Sequence, residues 1–189
     1  MFCLIAFVLW GQGQAPIVGG PCEGCNLVFQ GMPESLEPSV RIAPADEPGE
    51  PLILRGTVFD AQGKPAAGII VYAYHTDAQG LYPKAETRHG RLRGWAKTDP
   101  NGVYEFKTIR PAAYPNSTIP QHIHMHIIEP HKATYYIDDV LFSDDPKLKG
   151  ATPKRSPRGG LGVCMPQKVD GTWQVSRDIQ LGLNIPGYP

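Results

Sequence analysis

Glycine and proline interrupt this chain so often that long helices have little room. The sequence holds 21 Gly and 20 Pro among 189 residues, without a G-X-Y period. Between these breaks lie short runs rich in β-branched and aromatic residues, which is strand sequence bounded by turns. LILRGTVFD from Leu52, IIVYAYHTD from Ile69, WAKTD from Trp95 and VYEFKTI from Val103 each read as one strand. HIHMHIIE from His122, YYIDDVLF from Tyr135 and TWQVSRDIQLGL from Thr172 read the same way. Strands recurring at such spacing predict an all-β fold, a β-sandwich of mostly antiparallel strands with long functional loops, over residues 52–189. Apolar residues make up 41% of the chain, so the glycine and proline content does not signal disorder.

The segment ahead of residue 52 reads differently. Residues 33–51 carry five prolines and five acids with little periodicity, so residues 16–51 are expected to form an arm or linker. Residues 2–10 (FCLIAFVLW) are uninterrupted apolar sequence, too short to span a bilayer but suited to the core of a secretory signal. A signal over residues 1–15 implies an exported protein, secreted or periplasmic. Lys plus Arg equals Asp plus Glu at 18 each, which supplies no basic field for nucleic acid or a membrane surface. Oligomerisation is left open. Of the four cysteines, Cys22 and Cys25 form a CEGC pair with no second CxxC to complete a zinc site. In an oxidising compartment the expectation is a structural disulfide, either Cys22–Cys25 or one of them with Cys164.

The chemistry is concentrated in HIHMHI. Strand residues alternate faces, so His122, His124 and His126 share one face while Ile123, Met125 and Ile127 point to the core. Three histidines so placed gain little from burial and repel one another if charged, whereas neutral imidazoles converge well on a metal. No carboxylate lies within HIHMHI. Two tyrosines sit in loops able to reach it, Tyr82 in AQGLYPK and Tyr114 in RPAAYPNSTIP. A phenol loses its proton near neutral pH only to a strong Lewis acid, and the hard phenolate favours a trivalent ion. Ferric iron with two tyrosinates and one hydroxide is neutral, and a neutral cluster can be buried without a counter-charge.

QGLY, RPAAYP and PxHIH in this order resemble the intradiol ring-cleavage dioxygenases, the family of catechol 1,2-dioxygenase and protocatechuate 3,4-dioxygenase. The likeness covers most of the chain beyond residue 52. It implies a β-sandwich and an oxidoreductase that uses O2 to open a catechol-like ring between its hydroxyl carbons, giving a muconate-type diacid. Carried over by motif, Tyr82, Tyr114, His122 and His124 become the ligands of Fe(III). Tyr114 becomes the ligand that substrate displaces and the base that takes its proton. His126 lies outside the motif, as a group behind the ligands or simply the next residue of the strand face.

Two positions depart from the family pattern. Ile119 stands where family members acting on simple catechols place Arg, and Asp138 or Asp139 stands where they carry Gln. Arg91 and Arg93 in HGRLRG are the candidates to replace the missing cation. Two other readings remain open: a copper site built from His122, His124 and His126 alone, and a non-catalytic β-sandwich binding module. Lys147, Lys149, Lys154, Arg155 and Arg158 read as a solvated basic loop, and Asn116-Ser117-Thr118 matches a glycosylation acceptor.

Overall fold

The computed structural model describes residues 15–22, 24–148 and 156–189. Its strands are β1 (Ser39–Arg41), β2 (Pro51–Phe59), β3 (Ile70–Tyr74), β4 (Arg93–Lys97), β5 (Val103–Ile109) and β6 (His122–Glu129). They continue with β7 (Ala133–Tyr136), β8 (Val140–Phe142), β9 (Val163–Cys164), β10 (Gln167–Val169), β11 (Thr172–Ser176) and β12 (Ile179–Gln180). One sheet has the order β1-β5-β2-β11-β10, with β12 also on β2. The other has the order β4-β3-β6-β8-β9, with β7 also on β6. The long pairings β2–β5, β3–β4 and β3–β6 are antiparallel. Shorter partners β1, β11, β12 and β9 add in parallel.

Alternation decides which faces meet. In β2 Leu52, Leu54 and Val58 are buried, and they pack with Phe106 of β5 and Val175 of β11. The same core takes Val71 and Ala73 of β3 and Ile123, Met125 and Ile127 of β6. The two sheets therefore close on one another as the expected sandwich. The outer face of the second sheet carries Tyr72, Tyr74 and Trp95, which form a separate apolar cluster with Val28 and Ile128. A short 3-10 helix, Cys25–Phe29, covers this cluster, and Trp95 Nε1 donates to Val28 O at 2.7 Å. Sheets of this kind normally leave such a face to solvent; here the N-terminal segment closes it.

Three local expectations need amending. The proline-rich arm contributes β1, and Ile42 and Ala43 behind it enter the core. YYIDDVLF divides into β7 and β8, and TWQVSRDIQLGL into β11 and β12. Arg177 explains the second break. Its guanidinium is buried and donates to the carbonyls of Asp178 at 2.6 Å, Gly160 at 3.0 Å and Gly159 at 3.2 Å. The chain approaches so closely there that a Cβ on Gly56 would lie 1.9 Å from Arg177 O, so only glycine fits. Cys22 and Cys25 form the disulfide, and Cys164 is a buried free thiol on β9. The apolar run at residues 2–10 lies outside the described residues.

Candidate metal centre

Two loops and one strand converge on a single point. In the loop after β3, Asp77 Oδ1 accepts from the backbone N–H of Gln79 and Leu81, which turns the chain just ahead of Tyr82. Ala112 N donates to Asp77 O at 3.0 Å, and Thr76 Oγ1 donates to Ala112 O at 2.7 Å, so the Tyr114 loop is stitched to the Tyr82 loop. Gly80 lets them touch. Its φ is 79°, and a Cβ there would stand 2.1 Å from Ala113 O. Both tyrosines are thereby set over the His122 and His124 end of β6.

Four donor atoms meet. Tyr82 Oη lies 2.6 Å from Tyr114 Oη and 2.9 Å from His124 Nε2. Tyr114 Oη lies 3.1 Å from His122 Nε2 and 3.4 Å from His124 Nε2. The two Nε2 atoms are 3.2 Å apart. Four ligands at about 2.0–2.1 Å around one ion are separated by roughly these distances.

Proton accounting makes the point sharper. His122 Nδ1 faces Pro120 O at 2.7 Å, and a carbonyl can only accept, so Nδ1 carries the proton and Nε2 the lone pair. His124 Nδ1 likewise donates to Asp139 Oδ1 at 3.1 Å. The five close contacts among the four donors then have only the two phenolic protons to share. Three contacts are left as lone pair against lone pair unless a cation stands between them. Burial pushes both phenols above their ordinary range, most strongly Tyr82, and holds His122 below the ordinary imidazole value. The donors are thus poised as neutral groups that surrender protons only to a strong Lewis acid.

A cavity of about 300 Å³ opens over these atoms, lined by Tyr74, Tyr82, Arg88, His89, Tyr114 and His124. Of the arginines expected to supply a cation, neither lines it. Arg91 forks onto Glu47 at 2.5 and 3.0 Å, and Arg93 lies on β4 with its guanidinium 5.3 Å from the Trp95 ring centre. Arg88 lines the cavity instead. It belongs to the same charged run, but residue spacing alone did not distinguish it from its neighbours. His89 also lines the cavity, stacked on Tyr74 with ring centres 3.9 Å apart, although its place in the sequence gave no sign of it. His126 does not join His122 and His124; its ring groups with the sulfurs of Cys22 and Cys25 instead.

A family model described as dioxygenase matches residues 27–161. The chain belongs to the intradiol ring-cleavage dioxygenase family. It is 40% identical over 73 residues to catechol 1,2-dioxygenase 1 of Acinetobacter lwoffii, a match covering 36% of this chain and 24% of that protein. It is 30% identical over 112 residues to the protocatechuate 3,4-dioxygenase beta chain of Burkholderia cepacia, covering 53% of this chain and 48% of that one. The chain therefore spans between a quarter and a half of the length of these relatives. The dioxygenase domain of a dioxygenase and carbohydrate-binding fusion protein from Streptomyces sp. SirexAA-E shares the fold at a TM-score of 0.63 and 21% identity. That match covers 79% of this chain and 91% of that domain.

Proposed function

We propose that this dioxygenase-family chain opens a catechol-like ring between its two hydroxyl carbons with O2, using Fe(III) held by Tyr82, Tyr114, His122 and His124. The observation that carries this reading is the convergence of two phenol oxygens and two imidazole lone pairs with too few protons to satisfy them. Two phenolates and two neutral imidazoles suit a hard trivalent ion, and a further hydroxide brings the cluster to neutrality. Iron bound there supplies Lewis acidity toward the substrate oxygens and access to O2.

The protein's own part is to bind, orient and move protons. Tyr114 meets both histidine nitrogens, and its oxygen is the group that accepts a hydroxyl proton when a catechol enters. Tyr74, Tyr82 and His89 form flat walls for an aromatic ring. Arg88 brings positive charge to that cavity, in the role that Ile119, itself exposed, cannot fill. Asp139 holds the His124 ring so that Nε2 faces inward.

The test is a visible spectrum with iron quantified on the same sample. Tyrosinate on Fe(III) gives a broad charge-transfer band, expected to shift when catechol is added and to be followed by O2 uptake and a ring-opened diacid. Tyr114→Phe should disturb that band, whereas a copper site made of three histidines would be indifferent to it. Protein that stays colourless after iron is supplied under air would overturn the reading.

A further inference from the structure

The histidine row has a third member that the centre above does not use. His126 is 4% exposed, its Nδ1 has no hydrogen-bond partner among the described residues, and a ring nitrogen, Nε2, lies 3.8 Å from Cys22 Sγ. The two cysteine sulfurs and a nitrogen of His126 all fall within 4.8 Å of one another. A second buried imidazole borders the same loop. His89 Nε2 is also without a partner among the described residues, and a Cβ on Gly24 would stand 2.7 Å from it.

A buried imidazole beside two sulfurs at CxxC spacing differs in kind from the oxygen-rich centre two residues away. Sulfur and imidazole donors select thiophilic ions, above all d10 ions without a strong geometric demand. The cysteine Cα atoms are 5.6 Å apart, a separation that serves a disulfide or, by side-chain rotation alone, two thiolates on one ion at about 2.3 Å each. Two thiolates balance the charge of one divalent cation, so the loaded site is neutral and suited to its buried setting.

We propose that reduction of the Cys22–Cys25 disulfide opens a second metal site, in which Cys22 Sγ, Cys25 Sγ and a ring nitrogen of His126 hold Zn2+. A dithiol supplies two electrons and two protons: the S–S bond breaks, two thiols form, and the dithiol itself becomes a disulfide. Binding of Zn2+ then releases both thiol protons to solvent. The disulfide is the metal-free form of the same site. The loop that carries it rests on His89, which in turn lines the cavity over the tyrosines.

The experiment uses the full chain, reduced with a phosphine, freed of reductant under argon and titrated with Co2+ as a coloured stand-in for Zn2+. A thiolate-to-cobalt charge-transfer band saturating at one equivalent and displaced by Zn2+ is the expected result; the Tyr82, Tyr114, His122 and His124 centre contains no sulfur and cannot produce it. The band should be absent from unreduced protein, lost in Cys22→Ser and in Cys25→Ser, and retained in Cys164→Ser. His126→Gln should weaken Co2+ binding at least tenfold, with near-ultraviolet circular dichroism confirming that the variant is folded. No band in folded, reduced protein would overturn the proposal, as would equal affinity in folded His126→Gln or unfolding on reduction alone. If His126→Gln does not fold, Cys22→Ser decides: a band that persists there overturns the site.

Discussion

His124 and His126 stand two residues apart on the same face of β6, yet one meets oxygen and the other sulfur. Nothing in their own strand distinguishes them. The difference lies in what covers the face: the two tyrosine loops at one end, the N-terminal segment with Cys22 and Cys25 at the other. Another histidine, buried elsewhere, shows what the residue does when protein groups satisfy it completely. His75 Nδ1 donates to Thr76 O at 2.7 Å, and Nε2 lies 2.7 Å from Thr108 Oγ1, so no lone pair is left for a metal. Burial is common to His75 and His126; orphaned nitrogen is what separates a candidate ligand from a packed one.

The largest effect should come from breaking the oxygen-facing end. His124→Ala removes a donor and leaves Tyr82 Oη without its imidazole, so the iron band should vanish and turnover fall by about a thousand-fold or more, several kcal/mol of Lewis-acid stabilisation being lost. Under non-reducing conditions His126→Gln should leave that band in place, because His126 touches none of the four donors. Spectra of the two variants, measured side by side, decide whether the row is one site or two. Loss of the iron band in folded His126→Gln would merge them.

Asp139→Asn is a gentler cut at the same end. The carboxylate that accepts the hydrogen bond from His124 Nδ1–H becomes an amide, which orients the ring less firmly and lowers the basicity of Nε2. Iron affinity is expected to drop about 10- to 100-fold without loss of fold, measured by competition with a chelator.

His75 sharpens the comparison from outside the centre. Burial depresses its pKa from 6.5 to about 4, against the hydrogen bond to Thr76 that opposes the shift. Between those values the unfolded chain holds more protons than the folded one. Stability is therefore whole above pH 6.5 and falls as pH drops toward 4, with His75 contributing up to about 3 kcal/mol of the loss. His75→Gln should flatten this acid slope in urea unfolding curves. An unchanged slope would mean that His75 gains no proton on unfolding.

Much of this architecture was legible because alternation and turns are local signals. β2, β5 and β6 fall where apolar residues repeat every second position, and β3 where β-branched and aromatic residues run together. β1 was hidden because proline and acid dominate its surroundings, and only pairing with β5 makes a strand of Ser39–Arg41. The break at Arg177 was hidden too, since a buried guanidinium capped by carbonyls looks like any surface arginine in sequence. In the centre, motif order pointed to Tyr82, Tyr114, His122 and His124, whose donors the structure brings together. The contact between Cys22 and His126 joins residues 104 apart, and no local pattern reports it.

The smallest effects concern the arginines near the Tyr82 loop. Arg88, Arg91 and Arg93 share one charged run, and only the course of the loop sorts them. Arg88 faces the cavity, and its charge acts on Tyr74 and His89. A charge-assisted hydrogen bond to an anionic catechol is worth about 1.5–3 kcal/mol, so Arg88→Gln should raise KM roughly 10- to 150-fold while kcat changes less. Arg91 spends its fork on Glu47, with 46% of its own side chain exposed but only 5% of that of Glu47. Removing the cation leaves the shielded Glu47 carboxylate unpaired, a loss of about 1–3 kcal/mol, so Arg91→Gln should move neither KM nor kcat but should lower stability in urea unfolding. A KM rise in Arg91→Gln matching that in Arg88→Gln would show that the loop turns in solution to present both cations. The contrast drawn between them would then belong to one conformation and not to the site.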